Sequence, residues 1–202
     1  MLLSANPSIL EIDPVSGCHS EDIMDFWRPN YRKTPLVDGK YSTLKYMHFL
    51  AHAWADYQAN GGRAFADFVQ FCYHLPFSRM AEKAHRHLSS INKVKPDPSL
   101  IEPGMDYARK VGNCYSASLY LSLISMLETL DDNLAGKAVG LFSYGSGAVA
   151  EFFSGVVQEG YRDHLFIDHH RTLLADRVSL SYDDYLNLWN APDPQDGSDH
   201  II

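Results

Sequence analysis

Tyr73-His74-Leu75-Pro76-Phe77 closes the apolar run Phe68-Val69-Gln70-Phe71-Cys72, and a helical pattern begins near Ser78. Proline lacks the N–H that a strand ladder needs, and it holds the residue before it extended. The pattern predicts a buried strand ending at His74 and a helix running from Ser78 to about Ser90. In an α/β fold, the end of a buried strand is where site residues collect. An imidazole titrates near pH ~6.5, so it can donate to a carbonyl or receive a proton at working pH. A satisfied core histidine is the competing reading.

The helix that follows carries Arg79, Lys83 and Arg86 at i, i+4 and i+7, which puts all three on one face. A solvated helix face is the common explanation of such a stripe. Directly after His74, the stripe also suits phosphate, which Arg and Lys bind through charge-assisted hydrogen bonds. An acid/base group beside a row of cations fits a substrate with a reactive carbonyl and a phosphate-bearing handle.

Toward the N-terminus, Ile9 to Ile12 reads as a strand. Asp13 to Gly39 reads mostly as loop, punctuated by Pro14, Gly17, Pro29, Pro35 and Gly39, and it includes the cluster Asp25-Phe26-Trp27-Arg28-Pro29. A helix is predicted from Ser42, as N-cap, to about Asn60, with Leu44, Met47, Leu50, Ala51 and Trp54 on its apolar face. Gly61-Gly62 ends it.

Toward the C-terminus, residues 92–102 read as loop and Met105 to Lys110 as a short helix. Gly112-Asn113 is a turn. Tyr115 to Leu130 is a helix apolar nearly all round, so burial on every side is expected. Lys137 to Tyr144 and Ala148 to Val157 read as a hairpin about the turn Gly145-Ser146-Gly147. Asp163 to Trp189 reads as helical with loops. The tail, residues 191–202, has the Pro, Asp and Gly content of a disordered terminus, which leaves residues 1–190 as one domain.

At 202 residues the chain has room for a core of its own, and 46% hydrophobic with 21% charged is ordinary for a globular protein. A net charge of -8 argues against a general nucleic-acid binder, so any phosphate recognition is local. Cys18, Cys72 and Cys114 form no CxxC pair, which suggests reduced thiols in a cytoplasmic protein. No signal peptide is visible, and the longest apolar stretch, Tyr115 to Leu127, is too short for a bilayer. The chain enters a strand-like pattern almost at once, as a piece of a longer protein would.

Other candidates each have a plain reading beside the chemical one. Asn113 caps helices well, and its amide can also face an oxyanion at a helix start. Ser143-Tyr144-Gly145-Ser146-Gly147 departs from the Gly-x-Ser-x-Gly elbow and reads as a hairpin turn whose Ser146 hydroxyl lines a pocket. Cys114 opens a helix, which lowers a thiol pKa, but reads as a packed core thiol. His48 and His52 stand i, i+4 without the glutamate of His-Glu-x-x-His, so no metal site is expected there. His169-His170 reads as surface.

Four pieces stand in one order: Asp25-Phe26-Trp27-Arg28-Pro29, Cys72-Tyr73-His74-Leu75-Pro76-Phe77, Val111-Gly112-Asn113-Cys114-Tyr115, and Leu141-Phe142-Ser143-Tyr144-Gly145-Ser146-Gly147. Together they resemble the C-terminal half of bacterial 3-hydroxy-3-methylglutaryl-CoA synthase of the Gram-positive mevalonate type, from near Met1 to about Trp189. The resemblance implies an α/β, thiolase-like fold: a layered αβα arrangement with a mixed sheet and an inserted helical segment. It implies that His74 is the catalytic histidine that holds and protonates the acetoacetyl carbonyl. By the same resemblance Asn113 bonds the acyl group, Ser146 and Ser42 line the substrate pocket, and Arg79 and Lys83 lie where coenzyme A enters. Arg79 stands where the family usually has lysine.

The family's nucleophilic cysteine and general-base glutamate lie in its N-terminal half, which has no counterpart here. The resemblance therefore implies condensation of acetyl-CoA with acetoacetyl-CoA by the full-length enzyme, an inactive isolated chain, and the N-terminal half as partner. It also implies a homodimer, with coenzyme A thioesters as substrates and no cofactor. An apolar face uncovered by the missing half is expected to self-associate. Three alternatives stand beside this: an acetyl-CoA-priming ketoacyl synthase, a β-branching enzyme of polyketide synthesis with a carrier-bound acceptor, and a non-catalytic coenzyme A-binding or assembly half-domain. The Asp-Phe-Trp-Arg-Pro segment and the Ser-Tyr-Gly-Ser-Gly turn favour the mevalonate enzyme over the ketoacyl synthase.

Overall fold

The computed structural model describes residues 3–192, so most of the predicted disordered tail, residues 193–202, lies outside the described residues. The described part falls into two units, divided after Leu165. In the first, β1 (Leu10–Ser20) is followed by a two-strand ribbon, β2 (Phe26–Trp27) and β3 (Leu36–Val37). Then come α1 (Gly39–Ala59), β4 (Phe68–Tyr73), α2 (Met80–Ile91), α3 (Asp106–Val111), α4 (Ala117–Thr129), β5 (Ala138–Gly145) and β6 (Val149–Val157). The main sheet has the order β1-β6-β5-β4. β4 runs parallel to β5, whereas β5–β6 and β6–β1 are antiparallel, so the sheet is mixed.

Strand alternation builds the two layers around it. On β5, Phe142 and Tyr144 point into the cluster with Phe49, Leu50 and Trp54 of α1, while Val139 and Leu141 point into the cluster with Leu119, Met126 and Leu127 of α4. The sheet is thus covered on both faces, the expected αβα arrangement.

β1 is longer than the sequence pattern suggested: it continues through Pro14 and Gly17 to Ser20, within what read as loop. Pro14 falls where the register slips between Ile12 and Ser16, and β1 is an edge strand, the place where a sheet tolerates proline. Gly17 is needed there. A Cβ on it would lie 2.0 Å from Tyr57 N, so β1 crosses α1 nearly backbone to backbone.

α1 begins earlier than predicted. Asp38, not Ser42, is the cap, accepting from Lys40 N and Tyr41 N. Its buried stripe is Tyr46, Phe49, Leu50, Ala53, Trp54 and Tyr57, whereas Leu44, predicted to be inside, is exposed. The aromatic rings set this face: Trp54 and Tyr57 both pack on Phe152 of β6.

α4 is buried, but not uniformly. Ser118, Ser122 and Ser125 are buried while Leu121 and Ile124 are half-buried. The segment before α3 covers the serine face: Ser125 Oγ donates to Pro103 O at 2.6 Å, and Gly104 lies against Ser122 so closely that a Cβ would meet its hydroxyl at 2.7 Å.

The second unit holds α5 (Ile167–Ala175) and α6 (Tyr182–Trp189). Ser181 caps α6, accepting from Asp184 N, and Tyr182, Tyr185 and Trp189 stack along it. His169 and His170 lie on α5, where no residue is buried. Among the described residues, no helix is long and apolar enough to cross a membrane.

Candidate functional site

The chain places His74 one residue past β4. Its amide donates to Phe142 O at 2.8 Å, extending the parallel ladder by one residue before Pro76 turns the chain away. Tyr46 of α1 closes it from behind: the hydroxyl donates to His74 O at 2.8 Å and the ring stacks on the imidazole. His74 is 7% exposed, and burial pushes its pKa down to about 4. The ordinary imidazole value does not apply here, and at neutral pH the ring is uncharged. Its Nδ1 is buried and has no partner among the described residues.

Next to His74 stands Tyr144, near the end of β5, with ring centroids 6.4 Å apart. Its hydroxyl donates to Asp25 Oδ2 at 2.8 Å. The same oxygen accepts from Ser42 Oγ at 2.9 Å and from Ser146 Oγ at 3.3 Å. Four elements of the fold therefore meet at one carboxylate: the segment after β1, α1, the end of β5 and the β5–β6 turn. Asp25 is 1% exposed, and its other oxygen, Oδ1, has no partner among the described residues. Three hydroxyls donate to one oxygen of the carboxyl group, and the second is left open to be bonded. Burial, followed by the bond to Asp25, holds the Tyr144 hydroxyl far above the ordinary phenol range, so it acts as a donor at all working pH values.

Ser42 and Ser146, expected to line a pocket, thus meet through Asp25, with His74 joined to them by Tyr144. Both serine hydroxyls donate to the Asp25 carboxylate, which holds them in place. Asp25 and Tyr144 were missed as individual side chains. The motifs holding them were noticed, but nothing in either motif shows that the two side chains meet.

Asn113 lies on the turn into α4. Its Oδ1 accepts from Tyr115 N at 2.8 Å and from Ser118 Oγ at 3.0 Å. With the oxygen occupied twice, the Nδ2 amide is left to donate. Gly112, at φ 88, supplies the left-handed turn, and Tyr115 is also held at φ 52. For a non-glycine residue this conformation is disfavoured and marks a constrained position. The Tyr115 ring lies edge-on to Phe26, the neighbour of Asp25, so this turn borders the same site. Cys114 is half-buried rather than in the core, with Sγ 3.8 Å from Gly112 O.

The basic stripe divides. Lys83 and Arg86 line an open groove with Thr43, Met47, His87 and Ser90. Arg79 stands before the first turn of α2, exposed, with Nε 3.4 Å from Glu82. Lys83 also lies over the Phe77 ring at 5.2 Å. Large apolar side chains around the site are exposed: Met24, Trp27, Phe77, Tyr115 and Val149.

Residues 10–101 and 91–191 match the family model for the C-terminal part of hydroxymethylglutaryl-coenzyme A synthase. The hydroxymethylglutaryl-CoA synthase of Enterococcus faecalis is 40% identical over 188 residues, covering 92% of this chain and 49% of the relative. The polyketide biosynthesis 3-hydroxy-3-methylglutaryl-ACP synthase of Bacillus subtilis is 32% identical over 200 residues, covering 92% of this chain and 46% of the relative. A crystal structure of an HMG-CoA synthase complexed with CoA superposes with a TM-score of 0.85 at 36% identity, covering 95% of this chain and 50% of that one. The chain spans about half the length of the relatives it matches.

Proposed function

The chain belongs to the hydroxymethylglutaryl-CoA synthase family, with its thiolase-like α/β fold, and from that premise we propose that it supplies the acceptor side of such a synthase's active site. In this reading the whole enzyme condenses acetyl-CoA with acetoacetyl-CoA, giving hydroxymethylglutaryl-CoA and free coenzyme A for isoprenoid synthesis. The observation that carries it is a pair of buried polar atoms with no partner among the described residues, Asp25 Oδ1 and His74 Nδ1, on either side of Tyr144. Buried polar atoms are nearly always paired, so a site that leaves two of them open is built to receive a polar group.

The chemistry divides between the halves of the family enzyme. The acetyl group is carried as a thioester on a cysteine, and a glutamate removes a proton from its methyl; the resemblance assigns both to the N-terminal half. The carbanion attacks the acceptor ketone, a C–C bond forms, and the C=O π pair moves onto oxygen. His74, neutral at working pH, donates an N–H to that oxygen and offsets the alkoxide charge as it develops, in a buried setting where such a bond is strong; the proton that the glutamate took from the methyl then returns to the alkoxide and gives the tertiary alcohol. The Asn113 Nδ2 amide donates to the acyl carbonyl. Ser42 and Ser146 hold Asp25. Water then hydrolyses the enzyme thioester and frees the product.

Lys83, with Arg86 in the same groove, fits the phosphates of coenzyme A, and Arg79 stands at the start of that helix as an outer contact. The exposed apolar side chains Met24, Trp27, Tyr115 and Val149, all on segments that build the site, support a covering N-terminal half. We take the assembled enzyme to be a cytoplasmic homodimer, in keeping with three free thiols. The reading needs no resident cofactor.

One observation favours a second reading. The similarity to the polyketide HMG-ACP synthase is nearly as extensive, and the same condensation runs with an acceptor held on a carrier protein. The test is to mix this chain with a separately produced N-terminal half of a family synthase and to follow thiol release from acetyl-CoA plus acetoacetyl-CoA. Activity that requires both halves and is lost in His74→Ala supports the first reading. Activity only with a carrier-bound acceptor selects the second. Inactivity with both acceptors, from folded halves that associate, sinks the catalytic proposal.

A further inference from the structure

A second cluster lies on the other side of the β5–β6 turn. His48 and His52 stand one turn apart on α1, and β1 carries His19 against them. His19 stacks on His52 with ring centroids 4.4 Å apart, and His48 lies edge-on to His52 at 4.3 Å. One ligand-capable atom from each of the three lies within 4.8 Å of the other two. Glu21, two residues past His19, closes the group. Its Oε1 accepts from His19 Nε2 at 3.0 Å and from His48 Nε2 at 2.6 Å, while its Oε2 takes the Lys45 ammonium at 2.6 Å.

The helix pair alone gave no reason to expect a metal, because the sequence between the two histidines lacks the glutamate of the usual motif. The fold supplies from β1 what the helix lacks: a third imidazole and a carboxylate. We propose that His19, His48 and His52 bind a divalent first-row transition ion of the zinc and cobalt class, with the Glu21 carboxylate as fourth donor.

Several features support this. Three imidazoles and one carboxylate are a donor set that suits zinc, cobalt or nickel over magnesium or calcium. A tetrahedral zinc site needs donor atoms roughly 3.4 Å apart, from bond lengths of about 2.1 Å. Side-chain rotation reaches that spacing, since His19 and His48 are 24% and 42% exposed and neither ring is locked in the core. Lys45 fixes the carboxylate from behind, an outer contact that orients a ligand.

The position gives such an ion a consequence. Ala148 N donates to Glu21 O at 2.8 Å and Glu21 N to Ala148 O at 3.2 Å. Ala148 stands two residues after Ser146, which donates to Asp25. An ion at the cluster therefore ties the end of β1, the middle of α1 and the turn that carries Ser146 into one unit.

The test uses the full chain without an affinity tag, stripped by a chelator and titrated separately with Zn²⁺ and Co²⁺. The expected result is one ion per chain, with Co²⁺ giving the intense visible ligand-field bands of a tetrahedral site. His48→Gln/His52→Gln is expected to weaken Zn²⁺ binding at least ~tenfold, with the metal-free thermal midpoint unchanged, while His169→Gln/His170→Gln binds as the parent does. If the first double variant is destabilised without metal, His19→Asn is read in its place. No stoichiometric ion, or full affinity retained in the variant that is read, overturns the proposal and leaves a hydrogen-bonded surface network.

Discussion

Tyr144 and Asp25 stand 119 positions apart in the chain and are joined by a 2.8 Å hydrogen bond in the interior. The contact welds the end of a central strand to the segment that leaves the edge strand. It fixes a carboxylate across Tyr144 from His74, and it is the bond on which the rest of the site is arranged. Ser42 and Ser146 converge on the oxygen that Tyr144 holds.

Removing that bond isolates its contribution. Tyr144→Phe keeps the ring contacts with Tyr46 and Phe49 and deletes one donor to a buried carboxylate. A hydrogen bond to a charged group contributes about 1.5–3 kcal/mol, so urea denaturation should show a loss of that size. A loss under about 0.5 kcal/mol, the ordinary range for a surface substitution, would mean that the two serines carry Asp25 without Tyr144.

His74 predicts an acid-side stability slope. Its folded pKa is pushed down from 6.5 to about 4 by burial, so between those values the unfolded chain binds the proton more readily. Stability attributable to the neutral ring is complete above pH 6.5 and falls as pH drops toward 4, by up to about 3 kcal/mol. His74→Asn should flatten that slope in denaturation curves collected across this range. An unchanged slope would place the titrating group elsewhere, with His85, also held low by burial, as the next choice.

The strand–proline–helix passage around His74 was legible because its signals are local. Periodicity marks the strand, and proline marks its end. The hairpin was legible for the same reason. β1 was not, because Pro14 and Gly17 look like loop residues until the edge position and the crossing with α1 are known. The face of α1 was read in part: Leu50 and Trp54 lie inside as expected, but Leu44 is exposed, and Tyr46, Phe49 and Tyr57, which the pattern passed over, complete the buried stripe. The serine face of α4 is buried only because residues 102–111 fold over it. Asp25 was hidden most deeply: its importance lies in three partners from distant segments, and no spacing in the sequence encodes their meeting.

The crossing of β1 and α1 makes its own prediction. An added methyl at Gly17 meets backbone atoms, Tyr57 N at 2.0 Å and Ala53 O at 2.3 Å, which cannot swing aside. Gly17→Ala should therefore cost more than the ~1–3 kcal/mol of ordinary overpacking and appear as a large drop in thermal midpoint. Gly39→Ala is the control, since a Cβ there meets nothing within 4 Å. Equal midpoints for the two variants would show that the strand can lift off the helix at little cost.

Charge in the groove should act on binding and not on folding. Lys83 and Arg86 share the groove, while Arg79 is turned to Glu82 outside it. In the reconstituted enzyme, Lys83→Ala/Arg86→Ala is expected to raise the KM for the coenzyme A ester at least about tenfold, since losing even one charge-assisted contact to phosphate has an effect of that size. The effect should shrink as salt rises, because exposed charges are screened. Arg79→Ala should do less. A larger effect from Arg79 than from the pair would move the coenzyme A path to the start of α2.

Ser118 predicts how Asn113 is held. Its hydroxyl accepts from Cys114 N at 2.8 Å and donates to Asn113 Oδ1 at 3.0 Å, and Ser118 is fully buried. Ser118→Ala leaves a backbone N–H without its acceptor and frees one side of the Asn113 carboxamide. The stability cost should be about 1–3 kcal/mol, as for an unsatisfied buried polar group. The catalytic effect follows from orientation. The Asn113 side chain keeps its bond from Tyr115 N but can rotate about it, so the Nδ2 donor points at the acyl oxygen only part of the time. In the reconstituted enzyme kcat should fall more than KM rises, because a donor aimed at a developing charge matters most in the transition state. Asn113→Asp separates the two roles: it keeps the Oδ1 acceptor for Tyr115 and Ser118 and removes the N–H donor, so it should lower kcat without the stability loss. If Ser118→Ala lowers stability alone and leaves kcat intact, Asn113 is a structural turn residue and its amide takes no part in the reaction.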